Sequence, residues 1–100
     1  MGKYRVFVQP GAWSAIKHLP GNIRQRVKHS IDALQDEPRP ARTKILETTQ
    51  TVLEVRRLRL DDWRVLYAIN EELKQVQVFA IRQRPPYDYA DLDALLNDLE

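Results

Sequence analysis

Apolar and polar residues alternate from Tyr4 to Val8 (YRVFV), and the β-branched and aromatic character of the run predicts a strand. Pro10-Gly11 ends it. Ala12, Trp13, Ile16 and Leu19 then recur at helical spacing until Pro20-Gly21 closes a short helix. Asn22 is a suitable N-cap for a second helix. Its apolar positions Ile23, Val27, Ile31 and Leu34 step by 4, 4 and 3, which lays one stripe against a core. Arg24, Arg26, Lys28 and Asp32 lie off that stripe. Pro38 and Pro40 stop the helix, and residues 38–50 read as a loop or a poorly regular connection.

Three strands are predicted next, at Thr51–Leu60, Trp63–Asn70 and Gln75–Arg84. Asp61-Asp62 and Asn70-Glu71-Glu72 are polar breaks short enough for hairpins, so these strands form an antiparallel meander. Pro85-Pro86 terminates the sheet, because proline cannot donate to a ladder. Asp88 then reads as an N-cap before Leu92, Leu95, Leu96 and Leu99, an amphipathic terminal helix. The order is β-α-α-β-β-β-α. It implies an α+β fold, with a helical hairpin on one face of a mainly antiparallel four-stranded sheet plus a C-terminal helix. Apolar Leu53 and Val55 share odd parity, whereas Leu58 and Leu60 share even parity. Either both sheet faces are partly covered, or a bulge near Arg56-Arg57 resets the parity.

One hundred residues make one domain, spanning 1–100, with a single modest core. At 43% hydrophobic and 30% charged, the composition excludes a disordered or low-complexity chain. The chain has no cysteine, which excludes disulfides and thiol chemistry. No apolar run approaches the roughly 18 residues of a membrane span, and no signal-peptide apolar region is seen. A small soluble cytoplasmic domain is expected.

Charge changes the picture. Residues 1–87 carry all 16 Lys and Arg against 9 of the 14 acidic side chains, a net of +7. The other five, Asp88, Asp91, Asp93, Asp98 and Glu100, sit in the last 13 residues. A basic body suggests a polyanionic partner, and Arg outnumbers Lys 11 to 5, which leans toward phosphate recognition. Strand periodicity puts Arg57 and Arg59 on one face, Arg64 beside them past the turn, and Arg82 and Arg84 together on the last strand. Up to five guanidiniums then converge on one sheet face, an arrangement that calls for a counter-anion. The alternative is pairing with Glu54, Asp61, Asp62 or the acidic terminal helix, which is complementary to the same face.

Tyr87 and Tyr89 follow the last strand and are candidates for base stacking or proton transfer. One of the two is expected to pack under the terminal helix. His18 and His29 read as surface or partly buried helix histidines, and Trp13 and Trp63 as core aromatics. Metal-ligand spacings and the P-loop, Rossmann and G-x-S-x-G patterns are absent, so neither a metal nor a cofactor is expected.

The ordered segments YRVFV, QPGAW, KHLPGNIRQRV, DEPRPARTKIL, RLRLDDWRVLYAI and VFAIRQRPPYDY resemble, over nearly the whole chain, the RelE/ParE superfamily of bacterial toxins. RLRLDDWRVLYAI resembles the family's clearest signature, R-L-R-x-x-D-Y-R-V-x-Y. The resemblance implies a ribosome-dependent mRNA endonuclease that cuts mRNA in the ribosomal A site and is neutralised by a cognate antitoxin. It also implies operator DNA bound through that antitoxin. By position, Arg57, Arg59, Arg64 and Arg84 are similar to the family's basic catalytic groups, and Tyr87 or Tyr89 to its C-terminal tyrosine. Arg56, Arg82 and Lys44 are the adjoining candidates for holding RNA. Where relatives carry a lysine on the first long strand, this chain has Arg57, or Val55; where they carry His before the last Arg, it has Gln83. This leaves a depressed-pKa Tyr, Glu54 or a ribosomal RNA group as the general base. The same fold also accommodates a ParE-type DNA gyrase inhibitor without nuclease activity and a non-catalytic binding module.

Overall fold

The computed structural model describes residues 3–48, 51–83 and Leu96. Its elements are β1 (Arg5–Val8), α1 (Pro10–Lys17), α2 (Gly21–Ala33), β2 (Thr43–Ile45), β3 (Glu54–Leu60), β4 (Trp63–Asn70) and β5 (Gln75–Gln83). They build an α+β fold around one mixed sheet of order β1-β5-β4-β3-β2. The helical hairpin carries the chain from the β1 edge to the β2 edge. The β2–β5 meander then returns it to β1, so β1 and β5 pair in parallel while every other pair is antiparallel.

The expected four strands become five. The additional β2 lies inside the segment expected to be a loop and pairs with Arg56–Leu58 of β3. Three residues are too few to show an alternating pattern, and Pro38 and Pro40 mask the approach. β3 begins three residues later than expected: the Thr51 hydroxyl accepts the Leu53 N–H at 3.1 Å, a local turn that keeps 51–53 out of the ladder. The cap of α2 is Pro20 rather than Asn22. Its carbonyl accepts the Arg24 N–H at 2.8 Å, and its extended backbone (ψ 145°) turns the chain into the helix. The β3–β4 turn is two residues long, with Asp61 at φ 51°, a left-handed conformation that Asp tolerates.

Both faces of the sheet are covered. Ala12, Ile16, Leu19, Val27, Ile31 and Leu34 of the hairpin bury Leu58, Leu60, Val65, Tyr67, Ile69, Val76, Val78 and Ile81. On the opposite face Val55, Leu66, Ala68, Phe79 and Ala80 bury Leu96 completely. The parity change in β3 is therefore two-sided burial, and the β3–β4 register runs without interruption from Glu54–Ile69 to Leu60–Trp63. The irregularity falls instead between β4 and β5, where Leu66 pairs with Ala80 and Tyr67 with Val78, leaving Phe79 as the extra residue. Trp63 packs against the larger cluster as expected. Trp13 does not: it lies one position off the Ala12–Ile16 stripe, is 41% exposed, and carries the Lys28 ammonium 5.4 Å from its ring centroid. Among the described residues no helix is long and apolar enough to cross a membrane.

Candidate functional site

Strand register gathers the basic residues. Arg57 and Arg59 share the parity of Val55, Arg64 that of Leu66 and Ala68, and Arg82 that of Ala80. All four therefore lie on the face opposite the helices. Arg59 is the register partner of Arg64, and Arg64 of Arg82, so three arginines form one row across β3, β4 and β5. Lys44 pairs with Arg57 in the next row but one. Neighbouring strands lie about 4.8 Å apart, so each row brings like charges into direct opposition.

The members differ in freedom. Arg64 is only 4% exposed, and its guanidinium donates to the carbonyls of Asp61 at 2.7 Å and Trp63 at 2.9 Å. Arg82 donates to the Ile81 carbonyl at 3.2 Å. Arg57 is half-buried and Arg59 exposed. Among the described residues no carboxylate forms an ion pair with Arg57, Arg59 or Lys44. Asp61 pairs with Arg26 instead.

Arg56 does not join this face. It shares even parity with Leu58 and Leu60, and it is bound by Glu54 at 2.6 Å and by the Thr43 hydroxyl at 3.0 Å. Glu54 lies on that helix side too, which separates it from the basic face as a base. Burial alone would raise its carboxyl, but hydrogen bonds from Arg39 and Arg56 outweigh that and hold it below the ordinary value. Arg39 continues the network to Glu71 at 2.8 Å, which also receives Lys74 and the Tyr4 hydroxyl. Those donors, Lys74 foremost, bring the Glu71 carboxyl down to about 2. This network ties the connection after α2 to the β4–β5 turn and takes no part in the basic face.

Arg84, Tyr87 and Tyr89 lie outside the described residues, as does the acidic segment apart from Leu96. Leu96 is buried beside the basic rows, on the same side of the sheet. His18 is exposed at the C-cap of α1, where its Nδ1 lies 2.8 Å from the Ser14 carbonyl, and His29 is exposed on α2. Among the described residues no three metal-ligating side chains gather.

Two cations that sequence reasoning did not single out, Arg26 and Arg42, line an open recess of about 450 Å³ at the β2 edge together with Lys44 and Arg59. Arg42 belongs to the approach to β2, so recognising that strand is the signal that would have found it.

No family model matches the sequence, and no curated protein matches it. Solved structures do. A chain of the archaeal RelE–RelB complex from Pyrococcus horikoshii OT3 is 30% identical, with 85% of this chain and 99% of that one covered and a TM-score of 0.76. The toxin–antitoxin complex RelBE2 of Mycobacterium tuberculosis matches at 24% identity, 81% and 98% coverage and a TM-score of 0.68. The isolated E. coli RelE toxin has the same fold at 15% identity, 91% and 95% coverage and a TM-score of 0.68.

Proposed function

The chain belongs to the RelE family of toxins, and on that premise we propose that it is a metal-independent mRNA endonuclease acting on the ribosome. A cognate antitoxin holds it inactive; the matched archaeal structure is itself a RelE–RelB complex. Operator DNA is contacted through that antitoxin, and the site of action is the cytoplasm.

The observation that carries this reading is the row Arg59–Arg64–Arg82 with Lys44–Arg57 beside it, on one sheet face. RNA cleavage by the 2′-hydroxyl adds negative charge to the phosphate as the new P–O bond forms. Fixed guanidiniums stabilise that charge, and the planar fork matches phosphate oxygens. Arg64, held by two backbone carbonyls, is the preorganised member; Arg57 and Arg59 reach the anion. Arg84 completes the cationic set by sequence position. A base for the 2′-hydroxyl and an acid for the 5′ oxygen are also needed, and Arg is a poor base because its pKa exceeds about 12. Tyr87, Tyr89 or a ribosomal RNA group supplies them, since Glu54 is committed to Arg39 and Arg56 on the other side of the sheet.

Sequencing of transcript 5′ ends after induction of the chain tests the reading. Breaks at fixed positions within codons are expected, and co-expressed antitoxin abolishes them. Arrested growth with DNA damage and no such breaks indicates a gyrase inhibitor; normal growth and translation indicate a non-catalytic binding module.

A further inference from the structure

We propose that the recess at the β2 edge is a second RNA-backbone subsite, which takes phosphates of the strand flanking the nucleotides held on the sheet face. This rests on the RNA-binding reading above. The recess holds about 450 Å³ and sets four basic side chains, Arg26, Arg42, Lys44 and Arg59, against the single carboxylate of Asp61. Lys44 and Arg59 belong to the sheet face as well, so the two sites share a wall and form one continuous path. A second hollow of about 430 Å³, sharing Arg26 and Arg42 and bordered by His29 and Ser30, extends the path onto α2. The backbone fixes this corner: the Arg59 N–H donates to the Arg42 carbonyl at 3.3 Å.

The chemistry favours a nucleic-acid strand over an acidic peptide. A peptide partner needs apolar anchors seated in pockets. Here the apolar lining is Ala41 and Leu60, and Leu60 is only 3% exposed. A phosphodiester backbone needs only cations at intervals, which the recess supplies. Asp61 is the internal competitor. It occupies the Arg26 guanidinium from the left-handed corner of the β3–β4 turn, and an incoming phosphate must displace it.

The test uses 2′-O-methyl RNA, which has no free 2′-hydroxyl and cannot be cut, as a trinucleotide and as a dodecanucleotide. Binding is titrated at several salt concentrations for the wild type, an Arg26→Gln/Arg42→Gln double variant and Asp61→Asn. Asn tolerates the left-handed backbone that Asp61 adopts. The double variant should lose about tenfold or more in dodecanucleotide affinity and about 1.4 in the slope of log K against log salt, roughly 0.7 for each lost contact. Its trinucleotide affinity should be unchanged. Asp61→Asn should bind the dodecanucleotide more tightly. The Arg26 and Asp61 substitutions both break the same ion pair, so a merely structural role would move both the same way; opposite shifts identify a phosphate subsite.

Unchanged dodecanucleotide binding in the double variant, an equal loss at both lengths, or parallel shifts in the two variants would overturn the proposal. Two trinucleotides bound per protein, one of them lost in the double variant, would overturn the same-strand assignment. Equal wild-type affinity for both lengths, or binding of neither, removes the recess; the sheet-face reading is decided separately, by cleavage on the ribosome.

Discussion

Arg59 of β3 and Arg64 of β4 are register partners on the sheet face away from the helices, and Arg82 of β5 continues their row. Like charges directly opposed across a ladder are destabilising by a few tenths to about 1 kcal/mol per pair. Arg59→Gln is therefore expected to leave thermal stability unchanged or slightly raised. RNA affinity should fall, with a salt slope shallower by about 0.7. Parallel melting and binding titrations check this. A lower melting temperature with unaltered RNA binding would make Arg59 a structural residue.

Arg64 should behave differently, because it is buried and spans the carbonyls of Asp61 and Trp63. Arg64→Ala removes both hydrogen bonds and the packing of the side-chain stem. A loss of about 1–3 kcal/mol in urea unfolding is expected. Any loss of toxicity in this variant mixes folding with chemistry, so Arg57 and Arg59 are the cleaner probes.

Tyr67 donates its hydroxyl to the Pro38 carbonyl at 2.6 Å. Burial pushes its phenol up to about 12, against the smaller opposing effects of Thr43 and Arg56. Tyr67→Phe should cost about 1–3 kcal/mol near neutral pH, from the unsatisfied carbonyl. An unfolded tyrosine ionises near about 10, so the folded group binds the proton more tightly. Its contribution is intact below that pH and is lost as the pH rises toward 12. The gap between variant and wild type should narrow over that window in urea titrations; a gap that stays constant would show that the phenol is not perturbed.

Glu71 has the opposite sign. Its carboxyl is held down to about 2 by Lys74 first, then Arg39 and Tyr4. The stability it contributes is present above the unfolded carboxylate value, near about 4.3, and is lost as the pH falls toward the folded one. Glu71→Gln should melt below the wild type at pH 7 and converge with it near pH 2. The shift should be small and salt-sensitive, because the site is solvated.

Where apolar residues obey a period, the sequence was legible. The α2 stripe of Val27, Ile31 and Leu34 is buried as its spacing requires, with Ile23 partly buried beside it, and β4 runs from Trp63 to Asn70 as predicted. The mixed parity of Leu53, Val55, Leu58 and Leu60 left two explanations. Burial of Leu96 against Val55 and Leu66 selects the two-sided one, a long-range contact that local pattern does not encode. β2 was illegible because three residues cannot show alternation. Its absence from the reading hid Arg42 and the recess it lines. Arg57, Arg59, Arg64 and Arg82 could be placed together from strand parity alone. Arg56 could not be placed reliably by counting charges: its even parity turns it toward Glu54 and Thr43.

Cleavage of a defined mRNA in the A site of purified ribosomes, by the wild-type protein and an Arg57→Gln/Arg59→Gln variant of matched thermal stability, tests the central claim most directly. Removing groups that stabilise transition-state charge should slow single-turnover cleavage by about 10²–10³, while the variant retains its fold. Cleavage at the wild-type rate by that variant, or intact mRNA with the wild-type protein, would contradict it.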